Sequence, residues 1–151
     1  MKRAEVDMGH VRVSGSGETL TASGVGSCLV ITLYDPVHRI GGLAHAMLPP
    51  ASRPSGRNGH DTKYTDAAID ELLRRLSARG ADTRRLEAKI VGGADMFPDL
   101  KSDIGEANVA SAKEKLASEN IRLAAESVGG AIGQSVEFCS VSGIVTVKKK
   151  F

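Results

Sequence analysis

The chain has 151 residues, 41% hydrophobic and 25% charged, with two Tyr, three Phe and no Trp, a length at which one domain spanning 1–151 buries about 70% of the surface its unfolded chain exposes. Twenty Lys and Arg against 18 Asp and Glu leave a formal charge of +2; that is too balanced for a phosphate-neutralising stripe, and five scattered aromatics build no base-stacking platform, so nucleic acid is set aside as a partner. Met1-Lys2-Arg3-Ala4-Glu5-Val6-Asp7 is charged where a signal peptide is apolar, and no run reaches the length of a membrane span, so a cytoplasmic protein without direct membrane insertion is expected.

Glu5 to Val13 alternates weakly and reads as one edge strand, followed by the loose linker Ser14-Gly15-Ser16-Gly17. After Gly24-Val25-Gly26-Ser27 the run Cys28-Leu29-Val30-Ile31-Thr32-Leu33-Tyr34 is continuous, apolar and β-branched, the pattern of a strand buried on both faces. Asp35-Pro36 is turn chemistry, and a second apolar run, Ile40 to Leu48, stops at Pro49-Pro50. The two runs predict a β-hairpin. Residues 49–63 carry Pro, Ser, Gly and Arg without periodicity and read as a long surface loop. Ala68, Ile69, Leu72, Leu73 and Leu76 then recur at helical spacing until Gly80. A strand from about Arg85 to Val91 ends at Gly92-Gly93, and a second helix from about Glu106 to Ser118 presents Val109, Ala112 and Leu116 on one stripe. Ile121 to Ala125, Val136 to Val141 and Ile144 to Val147 read as short strands, with Lys148-Lys149-Lys150 as a solubilising tail. The decapeptides beginning at Arg85 and Arg122 echo each other and suggest two similar helix-then-strand units.

Cys28 and Cys139 lie in no Cys-x-x-Cys pair, and His10, His38 and His60 form no helical i, i+4 pair for zinc. Nothing in the residues calls for a metal or another cofactor. Cys139, mid-strand without flanking glycines or a nearby histidine, reads as inert packing. Cys28 differs because it follows a Gly-x-Gly-Ser loop and precedes a hairpin that carries His45. A two-residue hairpin loop sets Cys28 opposite His45, and a four-residue loop, Pro36 to Arg39, makes them diagonal neighbours on one face. Either register leaves the Cβ atoms about 5 to 8 Å apart, whereas a three-residue loop puts the side chains on opposite faces. Proximity matters because the thiolate is the nucleophile and an adjacent imidazole takes the proton and returns it to the leaving group. Glycines flank both residues, Gly24 and Gly26 with Ser27 before the cysteine, Gly41 and Gly42 before the histidine. They are expected to admit substrate backbone and leave N–H groups for an oxyanion, lining one cleft floor together with Gly92-Gly93 and Gly129-Gly130.

These residues carry a resemblance. Gly24-Val25-Gly26-Ser27-Cys28 through Tyr34-Asp35-Pro36, then Gly41-Gly42-Leu43-Ala44-His45-Ala46-Met47-Leu48-Pro49, resemble the CheD family of chemoreceptor glutamine deamidases. Lys63-Tyr64, Leu86-Glu87-Ala88-Lys89-Ile90 with Gly92-Gly93-Ala94 and Met96-Phe97, Ile104-Gly105 with Asn108-Val109, and Gly129-Gly130 extend the likeness in order along the chain. The resemblance implies an α+β fold like that of deamidase-toxin-like cysteine hydrolases, with packed sheets and helices on the outside. It implies hydrolysis of glutamine side-chain amides on methyl-accepting chemotaxis receptors, with Cys28 as nucleophile and His45 as base, extension of the same machinery to receptor methyl esters, and binding by the CheC phosphatase. The family's third triad member, a Thr six residues before the nucleophile, is Ala22 here; Thr21 or Ser23 is expected to supply the hydroxyl through a β-bulge. The alternative is a catalytically weakened module that acts by binding receptor or CheC. Arg53, Arg57 and Lys63 of the 49–63 loop are expected to steer the protein onto an acidic helical surface.

Overall fold

A computed structural model describes residues 2–54, 60–96 and 103–149. Its strands form two sheets with helices covering one of them, a packed α+β architecture. The larger sheet has the order β2 (Val11–Ser14), β5 (Ile40–Ala46), β4 (Leu29–Asp35), β6 (Glu87–Gly92), β7 (Arg122–Val128). The smaller runs β1 (Arg3–Glu5), β3 (Thr19–Val25), β8 (Gln134–Cys139), β9 (Val145–Lys149).

β4 is the keel of the molecule. All seven of its residues are buried, because each of its faces meets a different layer. Leu29, Ile31 and Leu33 face the helices, α1 (Thr65–Ala78) and α2 (Ile104–Ser118), where Ala68, Ile69, Leu72 and Leu76 of α1 and Ala112 and Leu116 of α2 close one core. Val30 and Tyr34 face the smaller sheet, against Leu20, Ala22, Val25, Val136 and Phe138. The apolar spacing of α1 thus maps onto its buried stripe, and the helix ends at Gly80, whose φ of +94° supplies the left-handed residue that closes a helix C-terminus.

Two corrections to the linear reading shape the site. Glu5 to Val13 is not one strand: β1 pairs in parallel with β3 in the smaller sheet, while β2 pairs antiparallel with β5 in the larger. The chain therefore crosses from one layer to the other between Val6 and His10. The linker Ser14-Gly15-Ser16-Gly17 leads into β3, a strand that the Ser23-Gly24 interruption conceals in the sequence; its register with β8 shifts between Ala22 and Val25. At the other end of the chain, Lys148 and Lys149 belong to β9.

The β4–β5 hairpin closes with Asp35 opposite Ile40, leaving Pro36 to Arg39 as a four-residue loop. Asp35 is fully buried and organises that turn. Its carboxylate accepts from the backbone N–H groups of Val37 (2.9 Å), His38 (3.1 Å) and Asp82 (2.8 Å) and contacts His38 Nδ1 at 2.7 Å. Burial alone would raise its pKa, but these donors hold it down at about 2.

Gly41 and Gly42 serve the same packing. A Cβ on Gly41 would enter the Phe138 ring, and one on Gly42 would meet Val13 and Leu72. Both sit in the β5 ladder, opposite Tyr34 and Leu33. They let the two sheets, and α1, approach β5 closely; the expectation that they line a substrate loop gives way to this role in the core.

Candidate active site

In the observed register Val30 lies opposite His45 and Leu29 opposite Ala46. Cys28, immediately before β4, is therefore the diagonal neighbour of His45 on the same face, the arrangement a four-residue loop requires. That face is the one turned toward the smaller sheet, and His45 is 2% exposed.

The crossover segment grips the histidine. Gly9 N–H donates to the His45 carbonyl at 2.7 Å, the His45 N–H donates to the His10 carbonyl at 3.0 Å, and the ring Nδ1 lies 3.1 Å from the Val6 carbonyl oxygen. A carbonyl can only accept, so this contact places the ring proton on Nδ1 and leaves Nε2 of the neutral ring as the bare nitrogen. Nε2 is buried and makes no hydrogen bond among the described residues. Such a nitrogen has a lone pair available for a proton.

The loop bearing the cysteine is anchored through three successive carbonyls. The Gly26 oxygen accepts from the Ala94 N–H at 2.9 Å, the Ser27 oxygen from Asn108 Nδ2 at 2.9 Å, and the Cys28 oxygen from the Gly93 N–H at 2.8 Å. Gly92 permits this approach: its φ is +114°, and a Cβ there would run into the Cys28 carbonyl and Val25. The Gly92-Gly93 pair thus backs the cysteine loop. Gly26 has a different neighbour, Met96, whose sulfur occupies the space a side chain would need. Gly24, at φ +64°, has open space around it, and so do Gly129 and Gly130; the glycine pairs therefore line no single floor. Cys28 itself is half-buried, and desolvation raises its thiol above the ordinary range, with its own backbone N–H offsetting part of that rise.

Thr21 and Ser23 both turn to Glu5. The Thr21 hydroxyl donates to one carboxylate oxygen at 2.5 Å, and the Ser23 hydroxyl (2.7 Å) and N–H (3.0 Å) donate to the other. Burial works against ionisation of Glu5, but these donors, with a contribution from the His45 ring, hold its carboxyl below the usual range. Ala22 points the opposite way, 1% exposed in the inter-sheet core. The atom at the second ring nitrogen is the Val6 carbonyl oxygen, and the two hydroxyls instead pin β3 to Glu5, the residue next to Val6. Sequence reading misses this contact because a main-chain carbonyl carries no residue identity.

The remaining loop residues are also accounted for. Arg53 donates to Asp66 at 2.7 Å and lies over the Tyr64 ring, 4.6 Å from its centroid, so its charge is already engaged. Lys63 is 3.5 Å from Asp61. Arg57 lies outside the described residues. Among the described residues no cluster of His, Cys, Asp and Glu could hold a metal ion, and no helix is long and apolar enough to cross a membrane.

Comparison with known proteins places the chain in a family. The sequence model of the CheD family, described as CheD chemotactic sensory transduction, matches residues 47–149. The chain belongs to the CheD family. The probable chemoreceptor glutamine deamidases CheD of Pyrococcus horikoshii and Pyrococcus abyssi are 41% and 43% identical to it, each over 152 aligned residues, covering 99% and 98% of this chain and 93% and 92% of theirs. The chemoreceptor glutamine deamidase CheD of Halalkalibacterium halodurans is 38% identical over 138 residues, covering 89% of this chain and 85% of its own. The matches to these CheD proteins run nearly end to end, so their alignment spans the Cys28 loop and the His45 strand together.

Proposed function

We propose that this chain hydrolyses glutamine side-chain amides to glutamate on methyl-accepting chemotaxis receptors, with Cys28 as nucleophile and His45 as base. The observation that carries the reading is the tautomer imposed on His45: Val6 occupies Nδ1, and the bare Nε2 is on the face shared with Cys28. As the sulfur attacks the amide carbon, the thiol proton passes to Nε2 and the carbonyl oxygen becomes an oxyanion. In a trans peptide the N–H points away from the preceding C=O. The inward hold on the Gly26 and Ser27 carbonyls therefore aims the Ser27 and Cys28 N–H groups outward, toward that oxyanion. Imidazolium returns the proton to the departing nitrogen, which leaves as ammonia. Water, deprotonated by Nε2, then cleaves the thioester and restores the thiol. A receptor methyl ester would follow the same course with methanol leaving.

A raised thiol suits this order of events. It favours proton transfer coupled to attack over a preformed ion pair. The expected result is amide-to-acid conversion on a purified receptor cytoplasmic fragment, read by mass spectrometry and lost in Cys28→Ala and in His45→Ala. Conversion that persists in both variants would overturn the proposal.

Ala22 favours a second reading, in which the protein acts chiefly by binding receptor or the CheC phosphatase. No hydroxyl stands at position 22, and both neighbouring hydroxyls are committed to Glu5. If turnover is slow and Ala22→Thr speeds it, this reading gains; if turnover is already fast and Ala22→Thr leaves it unchanged, the Val6 carbonyl suffices.

A further inference from the structure

Asn108 is a polar residue on an apolar stripe. It shares the buried side of α2 with Ala112 and Leu116 and is fully buried. Its Nδ2 donates both protons to main-chain carbonyls, Ser27 at 2.9 Å in the nucleophile loop and Met47 at 3.0 Å, two residues beyond His45. Because both partners only accept, the orientation of the amide is forced. Oδ1 is then left buried with no hydrogen-bond partner among the described residues, a cost that an alanine or leucine at this position would not carry. The fold also makes room for the contact. A Cβ on Gly105 would strike the carbonyls of Gly93 and Ala94, and one on Gly93 would strike Val109 and the Gly105 carbonyl. Two glycines thus seat the first turn of α2 directly on the turn that backs the cysteine.

We infer that Asn108 is a positioning residue that sets the oxyanion hole: by holding the Ser27 carbonyl it fixes the Ser27–Cys28 peptide plane, and by holding the Met47 carbonyl it locks that plane to the strand end carrying His45. With the Ser27 oxygen drawn inward to Nδ2, the Cys28 N–H is turned to the side of its own sulfur, where its influence on the thiol is already felt. That is the side on which the tetrahedral oxygen forms. The inference rests on the deamidase reading for its reaction, but the peptide plane can be probed without a receptor.

The test compares chemistry that builds an oxyanion with chemistry that does not. In Asn108→Ala, kcat for receptor-fragment deamidation is expected to fall by about 10²- to 10³-fold with KM within about two-fold. Alkylation of Cys28 by iodoacetamide, which needs no oxyanion donor, is expected to stay within about three-fold of wild type. Affinity for butyraldehyde, whose adduct with Cys28 places an oxygen in the same hole, should weaken in parallel with kcat. Equal losses in alkylation and deamidation would reduce Asn108 to a structural role, and unchanged kcat would remove the assignment. Wild type that alkylates and binds butyraldehyde but never deamidates receptor would sink the deamidase reading while leaving the Asn108 comparison decided by the other two arms. Should Asn108→Ala fail to fold, wild type with butyraldehyde answers by NMR. The Cys28 N–H should move downfield while both Asn108 Nδ2 protons stay protected from exchange; a stationary Cys28 N–H or rapidly exchanging Nδ2 protons would overturn the inference.

Discussion

Cys28 and Cys139 are both free, half-buried thiols at strand ends, one just before β4 and the other closing β8. Their surroundings differ in kind. Desolvation raises the Cys28 thiol, whereas hydrogen bonds from the Ser142 side chain and backbone pull Cys139 below its ordinary value. Yet the imidazole, the inward-anchored carbonyls and Asn108 all gather at Cys28. The lowered thiol and the hydrogen-bonded surroundings on which the proposed chemistry draws therefore belong to different cysteines. A thiol in a dry loop needs a base beside it at the moment of attack, and an acidic thiol without donors for the oxyanion has no route to amide hydrolysis.

The largest effect expected is on turnover. Cys28→Ala should lower receptor deamidation by about 10⁴-fold or more, while Cys139→Ala should stay within about two-fold; comparable losses in the two variants would erase the distinction between the sites. His45→Ala should follow with a loss of about 10²- to 10⁴-fold in kcat, the range for a general acid and base. Retained activity there would assign the proton transfer to another group.

The next effect lies at the far end of the hairpin, where Asp35 holds the register that brings Cys28, and not its neighbours, onto the His45 face. Asp35→Ala leaves three N–H donors at the turn without their acceptor and should cost on the order of 3 kcal/mol in urea unfolding. The sign with pH follows from the depressed value of about 2. The carboxylate's contribution is complete above the ordinary aspartate range and is lost as pH falls through that range toward 2. Wild type should therefore weaken in acid more steeply than Asp35→Asn, and parallel acid profiles would show that the turn takes its stability elsewhere.

The smallest expected effect sharpens the comparison most directly. Thiol labelling by iodoacetamide, followed peptide by peptide across alkaline pH, should reach half-rate above the ordinary thiol value of about 8.5 for Cys28 and below it for Cys139. The reverse order would mean that Cys28 and His45 already exist as an ion pair before substrate binds.

Much of this was readable from residue order. The apolar run Cys28 to Tyr34, the Asp35-Pro36 turn and the stripe of α1 each stand in the structure where their local chemistry points. The two echoed decapeptides contain β6 and β7, which pair as parallel neighbours connected through α2. Less legible were β1 and β2, since a weakly alternating segment does not announce that its halves join different sheets. Gly41 and Gly42 look like loop residues in one dimension and prove to be clearances for Phe138, Val13 and Leu72. Asn108 did leave a trace, a polar residue four before Ala112 on a buried stripe, but a stripe does not say which carbonyls it will meet.

The sequence alone pointed to Cys28 and His45 as the candidate pair, to the hairpin between them and to the family, because each rests on local pattern or on residue types in order. Only the tertiary structure decided which register the hairpin takes, that Val6 supplies the second ring contact in place of a hydroxyl near position 22, and that α2 reaches the cysteine loop through Asn108. Those decisions rest on main-chain carbonyls and N–H groups, which every residue carries alike, and only packing of the layers determines which of them meet.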